Sequence, residues 1–265
     1  MANAAVISTR SICAARPKSR AGCCLKVSKQ IIHDPDPSTY DQQLVFSTGG
    51  APTFNSPDMD TVDIWPLRPI PALTATVRNL SAQASANNTR IDLSWSGWGI
   101  GMPRTAIGST FVNLARAGYP GAETTISWPT PPVVTAAGLY GIFVSVVHPY
   151  DTGPYNNNGE QTIDGFQTST GRSKIFVVPV RNPTSSTQTI NLTAGPPQVA
   201  PWTTIVPSTL TLAAGAQQDV MVSIVVPAWI PPSPPGTLIS AGVDVLATMG
   251  GAYLGGIDIA ILFDA

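Results

Sequence analysis

The sequence is poor in charge. Only 11% of its 265 residues are Asp, Glu, Lys or Arg, against about 25% in an average soluble protein. Lysine occurs four times and glutamate twice, so the residues that cover the outer faces of long soluble helices are scarce. Proline and glycine, with 26 and 23 residues, are abundant instead. This composition disfavours helices and favours an all-β protein rich in Val, Ile and Thr.

Cysteine is absent from most of the chain. The three cysteines, Cys13, Cys23 and Cys24, all lie within the first 30 residues. They have neither the paired Cys-x-x-Cys spacing of a zinc site nor an even number for a disulfide framework. We therefore expect free thiols and a body held together without disulfides. No run of about 20 apolar residues occurs, so no membrane-spanning segment is predicted.

Basic charge is concentrated at the N-terminus, and all 15 acidic residues lie after residue 30. This pattern predicts a mobile basic head, with a targeting peptide and a nucleic-acid-binding arm as alternatives. Nucleic-acid binding is expected only through this head. No apolar stretch typical of a secretory signal follows the basic residues. The basic residues of the head are Arg10, Arg16, Lys18, Arg20, Lys26 and Lys29.

Apolar and polar residues alternate along much of the chain after about Leu73. Ile91, Leu93 and Trp95 alternate with polar residues, and a second series of alternating segments follows Asn182. Alternation with a period of two is typical of strands that bury one face, and turn residues separate the segments at regular spacing. We predict an all-β chain of two tandem immunoglobulin-like antiparallel β-sandwich domains, preceded by a disordered basic N-terminal head.

Four regions of the chain follow from this pattern. The head covers residues 1–30, and an extended proline-rich segment, 31–71, is expected to pack on the first domain. The first sandwich covers 72–181 and the second covers 182–265. We place their boundary where the apolar run Ile175 to Val180 meets Arg181-Asn182-Pro183. Because no flexible linker separates the halves, the two sandwiches are expected to pack end to end.

A resemblance to a known family is carried by short segments in the first half. They are Thr76–Leu80, Ile91–Trp95, Ala137–Tyr140, His148–Asp151 and Asn156–Gly159. Over about 72–180 the chain resembles a bacterial immunoglobulin-like domain of the CARDB (cell adhesion related) type. The resemblance implies a seven-stranded sandwich used as an extracellular or cell-surface adhesion or spacer module. Through Leu210–Gly215, residues 182–265 resemble a second bacterial immunoglobulin-like module.

The stretch from His148 to Asp164 is rich in side-chain oxygens, and Ca²⁺ is bound by about 6–8 oxygen ligands. The spacing is not that of an EF-hand. The alternative is a hairpin in which Asn and Gly supply turn conformations and an aspartate caps the turn. Apart from this calcium, no cofactor is expected. The candidate calcium ligands are Asp151, Asn156, Asn158, Glu160 and Asp164.

No motif for catalysis is present. The chain has two histidines, no Gly-x-Ser-x-Gly elbow and no glycine loop followed by a helix that would bind phosphate. We therefore expect a protein that is not an enzyme. Trp98, Trp202 and Trp229 lie beside glycine or proline near predicted strand ends. Tryptophan is enriched at binding hot spots, so these three residues form a candidate contact surface.

Taken together, these features predict a non-catalytic binding or structural protein. It would mediate protein–protein contact, with a protein partner or with copies of itself, at a cell surface or in an assembly. Display of loops and strand edges is the expected mode of contact. A capsid-like or decoration protein with a nucleic-acid-binding basic arm is one alternative. A carbohydrate-binding accessory or hydrolase-associated module is another.

Overall fold

The computed structural model describes residues 34–64, 67–130, 140–153, 156–228 and 238–264. The predicted head, with its basic residues and its cysteines, lies outside these ranges, and so does Trp229. Residues 33–265 form one compact unit. Within the described ranges, no helix is long and apolar enough to cross a membrane.

In the first part of this unit, the described ranges form one short helix and eight strands. They are β1 (Pro37–Ser38), α1 (Gln42–Ser47), β2 (Met59–Ile64), β3 (Leu67–Asn79), β4 (Ala86–Gly97), β5 (Thr105–Leu114), β6 (Glu123–Pro129), β7 (Tyr140–Val147) and β8 (Asn158–Ser169).

The described residues of the second part form seven strands and one turn of 3₁₀ helix, Ala200–Trp202. The strands are β9 (Ser173–Arg181), β10 (Gln188–Gly195), β11 (Thr203–Val206), β12 (Thr209–Leu212), β13 (Gln217–Val225), β14 (Leu238–Met249) and β15 (Ala252–Asp264).

These strands form three sheets, which confirms the all-β fold class. The largest has eight strands in the order β12-β10-β14-β15-β8-β7-β4-β5, and a three-stranded sheet has the order β11-β13-β9. In the third sheet β3 pairs with β1, β2 and β6. Strands β8 and β15 are an exception to the predicted antiparallel arrangement, because they pair in parallel, from Ile163–Asp258 to Ser169–Asp264.

The same strand order occurs twice. In the first part, β3 and β6 pair with each other, and β5-β4-β7-β8 form a separate array. In the second part, β9 and β13 pair with each other, and β12-β10-β14-β15 form a separate array. Strands β8 and β15 therefore occupy equivalent places. By pairing with each other they join the two four-stranded arrays and cover what would otherwise be two exposed sheet edges.

Each repeat has its own hydrophobic cluster. The first contains side chains of β3, β4 and β7, such as Val77, Ile91 and Ile142, and the second contains those of β9, β13, β14 and β15. Strand β9, which the predicted boundary assigned to the first sandwich, contributes Phe176 and Val178 to the second cluster. The physical reason is that β9 pairs along its whole length with β13. The division into two domains stays a prediction.

Segment 34–58 is more structured than the extended conformation predicted for it. It forms β1 and α1, and the Asp41 carboxylate caps α1 by accepting a hydrogen bond from the Leu44 N–H at 3.0 Å. Gln42 is 1% exposed; its amide donates to the carbonyl oxygen of Glu160, and its Oε1 accepts from the Glu160 N–H at 3.1 Å. The segment thus contacts β8 as well as β3, with which β1 pairs.

Phe54 anchors the same segment on β15. Its side chain is fully buried, and its ring stacks near that of Tyr253 with centroids 6.3 Å apart. A Cβ atom on Gly256 would collide with the Phe54 ring and with the carbonyl oxygen of Val245. Gly256 is therefore required for this close packing.

We expect Gly256→Ala to lower the free energy of unfolding by about 1–3 kcal/mol, because the added methyl group must displace a buried ring or a strand. Urea denaturation followed by tryptophan fluorescence measures the change. Gly97→Ala is the control, since no atom lies within 4 Å of its added Cβ. Equal effects of the two substitutions would contradict the packing argument.

Candidate functional site

Each of the five candidate calcium ligands makes its own hydrogen bonds within the protein. Asp151 accepts hydrogen bonds from the Gly153 N–H at 2.9 Å and from the Asn157 amide at 2.7 Å, which is the capped turn that was the alternative interpretation. Asn156 donates to Asp36 at 2.8 Å. Among the described residues, no group of three acidic, histidine or cysteine side chains is placed to hold a metal ion.

The other three candidates lie on β8, with separate partners. The backbone N–H of Asn158 donates to Asp41 at 2.8 Å. Glu160 is buried, which raises the pKa of its carboxyl, and it accepts a hydrogen bond from the Tyr253 hydroxyl at 2.9 Å. Asp164 accepts from the backbone N–H of Gly165 at 2.6 Å.

Trp98 and Trp202, the two tryptophans of the candidate contact surface that lie in the described ranges, both pack against the second cluster. Trp98 donates from Nε1 to the carbonyl oxygen of Val177 at 3.2 Å and packs against the second cluster. Trp202 packs against the same cluster with its ring edge-on to Phe263, the centroids being 6.3 Å apart. No ring contact joins Trp98 to Trp202 in the described part of the chain.

An exposed apolar surface lies on the outer face of the three-stranded sheet. Val206, Met221 and Val177 are register neighbours across β11, β13 and β9, and they are 49%, 52% and 55% exposed. Ile175 and Val225 extend the surface along the same strands, with 58% and 48% exposure. We call these five residues the apolar face.

The equivalent face of the first repeat is polar. There, Thr76 pairs in register with Thr125, and their hydroxyls are 3.0 Å apart. Two residues further along β3, on the same face, Arg78 pairs with Glu123 and forms a salt bridge at 3.0 Å. Since both faces belong to the same strand order, the fold itself does not require exposed apolar side chains there. The apolar face is therefore a specific property of the second repeat.

A sequence signal for this face existed. Ile175 to Val180 is a continuous apolar run, which is typical of a strand covered on both faces. Phe176, Val178 and Val180 are buried in the cluster, whereas Ile175 and Val177 point to the other side and are exposed. The interpretation of the run as a domain boundary missed this uncovered side.

A second feature is a pair of carboxyl groups on neighbouring strands. Asp244 of β14 and Asp258 of β15 are partners in the antiparallel register. Asp258 is 4% exposed. Both line a half-open cavity of about 450 Å³, together with residues that include Ala51 and Thr53. Neither aspartate was considered in the sequence analysis, because each lies between apolar strand residues.

Burial is the main cause of the raised pKa values of Asp244 and Asp258. It raises the pKa of Asp244 to about 6, although the Phe54 N–H, which donates to Asp244 at 2.9 Å, acts in the opposite direction. Burial also raises the pKa of Asp258 well above its usual range, and the neighbouring Asp244 charge adds to this effect. Asp258 accepts no hydrogen bond from any residue in the described ranges.

Comparison with known proteins assigns no family. No protein-family model matches the chain, and no curated protein matches it.

Solved structures with some likeness share little sequence with it. The PapD-like domain 7 of human CEP192 is 11% identical, with 39% of this chain and 80% of that one covered and a TM-score of 0.26. Escherichia coli alpha-2-macroglobulin activated by porcine elastase is 10% identical, with a TM-score of 0.28; 74% of this chain is covered, and it spans 21% of that protein. A protein of unknown function from Porphyromonas gingivalis is 11% identical, with 72% and 90% covered and a TM-score of 0.26. Likenesses at this level carry no argument about fold or function.

Proposed function

We propose that this chain is a non-catalytic module for protein–protein contact, and that its apolar face is the contact surface. The observation that carries the proposal is the difference between two equivalent faces. The first repeat covers its outer face with Thr76, Thr125 and an Arg78–Glu123 ion pair. The second exposes five apolar side chains on one face, three of which, Val206, Met221 and Val177, are partners in register. Exposed contiguous apolar surface marks interaction sites.

The partner that fits best is a second copy of this chain. The outer face has one acidic residue, Asp219, which lies at the end where β13 pairs with Pro179. A twofold axis that reverses the strand direction would bring the two apolar faces together and keep the two Asp219 carboxylates at opposite ends. The formal net charge of −1 gives little repulsion between copies. The resemblance to CARDB-type modules supports a role at a cell surface or in an assembly.

The test is size-exclusion chromatography with light scattering on the full chain over a wide range of protein concentration. We expect a concentration-dependent dimer, and we expect Met221→Lys to weaken it by at least about tenfold, because a charge would have to be buried at the centre of the contact. Thr125→Lys, on the equivalent face of the first repeat, is the matched control and should leave the dimer unchanged.

Two outcomes would contradict this proposal. A wild-type chain that stays monomeric at every concentration would remove the second copy as the partner. A Met221→Lys variant that assembles like the wild type would show that the apolar face is not the contact. Circular dichroism of each variant confirms that it is folded, which is expected because residue 221 is exposed.

A further inference from the structure

The cavity at β14 and β15 contains an arrangement that the fold does not need. Strand residues on the opposite side of these strands, such as Val245 and Ile257, belong to the second cluster. On the cavity side, Gly256 and Ala260 are small and apolar, yet Asp258 between them is a buried carboxyl. No described residue donates a hydrogen bond to this carboxyl, so its oxygens are available to accept hydrogen bonds from a ligand in the cavity.

Asp258 lines the cavity. Its carboxyl oxygens can therefore accept hydrogen bonds from a molecule bound there. Asp244 also has acceptor capacity left. The Phe54 N–H and the side chain of Thr53 hydrogen-bond to its carboxyl, whereas an ionised carboxylate can accept about four hydrogen bonds. Segment 51–55 and Pro196 form walls around the two groups. The volume of about 450 Å³ lies within the ~300–1,000 Å³ range of small-molecule sites.

The charge and the shape together select the class of ligand. Two adjacent carboxyl groups attract a cation when they are ionised. A divalent metal ion of the Ca²⁺ type needs about six or more oxygen ligands, and no third acidic, histidine or cysteine side chain joins the pair within the described residues. An ammonium group has three N–H donors for the carboxylate oxygens. Apolar lining residues such as Ala51, Pro196 and Ala260 suit an aliphatic chain.

We propose that this cavity binds an alkylammonium group, with Asp258 and Asp244 accepting its N–H hydrogen bonds and the small apolar residues contacting its carbon chain. This chemistry is shared by a lysine side chain and by a free aliphatic amine. The proposal concerns a different surface from the apolar face and does not rest on the proposed function.

Isothermal titration calorimetry on the full chain tests the site with n-butylammonium chloride at pH 8, at constant ionic strength set with KCl. We expect saturable binding that weakens at least tenfold in Asp258→Asn and in Asp244→Asn. Asp219→Asn removes an exposed carboxyl on another sheet and should bind like the wild type. A parallel titration with Nα-acetyl-lysine N-methylamide distinguishes the two sources, because tighter binding of this probe identifies a lysine side chain.

Gly242→Ala tests the geometry while retaining both carboxyls. Its added Cβ would lie 2.7 Å from Oδ1 of Asp258, so the carboxyl must move and binding should weaken. Lowering the pH to 5 should also weaken binding at least tenfold, because the pair becomes protonated while the amine stays charged. One further titratable group, Tyr40, interacts electrostatically with Asp244. The Tyr40 phenol stays neutral between pH 5 and pH 8, because its pKa is raised by burial.

Several results would overturn the proposal. The absence of saturable amine binding at pH 8 would mean that the pair only shares a proton. Equal affinity of the wild type and Asp258→Asn would place the amine elsewhere. Displacement of n-butylammonium by CaCl₂ at much lower concentration would show a metal site instead. Neither Asp→Asn substitution is expected to unfold the protein, because each removes a buried ionisable group.

Discussion

Asn182→Ala should destabilise the protein by about 3–4 kcal/mol, because it leaves several buried polar groups without partners. Asn182 is fully buried directly after β9. Its amide donates to the carbonyl oxygens of Ser186, Leu212 and Ala213 at 2.7, 2.9 and 3.0 Å. Its Oδ1 accepts from the backbone N–H and the hydroxyl of Thr184 at 3.0 and 2.8 Å. One side chain thus joins the turn after β9 to the end of β12.

Urea denaturation measures this effect, and Asn191→Ala is the control. Asn191 is exposed, and its Oδ1 accepts a single hydrogen bond from Thr209 at 3.0 Å, so its loss should cost no more than about 0.5 kcal/mol. A loss below about 1 kcal/mol in Asn182→Ala would mean that water satisfies these groups and that the residue does not organise the turn.

Asn79 should behave in the same way, because it has the equivalent place in the first repeat. It is 2% exposed. Its amide donates to the carbonyl oxygens of Ala84 and Ala115 at 2.7 and 3.0 Å, and its Oδ1 accepts from the N–H groups of Asp36 and Ser81 at 3.1 Å. Each asparagine follows a Val-Arg dipeptide, so the repeat of the strand order has a short counterpart in the sequence.

The second large effect is on the pH dependence of stability. The pKa of Asp244 is about 6 in the folded protein, against about 3.9 in an unfolded chain. The folded state therefore binds more protons between these values, and stability falls as the pH rises from about 4 to above 6. A tenfold change in proton affinity corresponds to about 1.4 kcal/mol, so Asp244 alone accounts for a loss on the order of 3 kcal/mol.

Asp258→Asn should remove the part of this loss that is due to Asp258. Burial and the neighbouring Asp244 charge raise the pKa of Asp258 well above its usual range, so the variant should be more stable than the wild type at pH 8. At pH 4 the two should be nearly equal, since the wild-type carboxyl is then protonated. Urea unfolding at a series of pH values measures the difference.

Asp219→Asn is the control for this series, because its carboxyl is exposed and its loss should leave the pH profile unchanged. A variant Asp258→Asn that is less stable than the wild type at pH 8 would show that the ionised carboxyl has a stabilising partner. A profile parallel to that of the wild type would show that the pair does not titrate in this range.

Local patterns determined the strands correctly. Ile91 and Leu93 on β4, Val220 and Val222 on β13, and Ile257 on β15 are buried as their alternation predicts. Alternation is a property of a few consecutive residues, because successive side chains of a strand point to opposite faces. The prediction of a β-sandwich chain therefore needed no knowledge of distant contacts.

The partners of the strands could not be predicted in the same way. The pairing of β8 with β15 in parallel joins residues that are about 90 positions apart, and nothing in either segment specifies the other. Glu160 illustrates the consequence. Its position in a polar stretch suggested an exposed loop that could bind calcium, but segment 34–58 covers this part of β8 and buries the carboxyl against Tyr253.

Composition and alternation by themselves determined that this chain forms strands with apolar inner faces, because those are local consequences of side-chain size and hydropathy. The tertiary structure alone decided how the strands pair and which outer faces are covered. Ala51, Thr53 and Asn55 line a cavity together with Asp244 and Asp258, while no described segment covers Val177 and Met221. Both results depend on contacts between residues far apart in the chain, and burial by such contacts changes the solvation and the proton affinity of a side chain without any change in its neighbours in sequence.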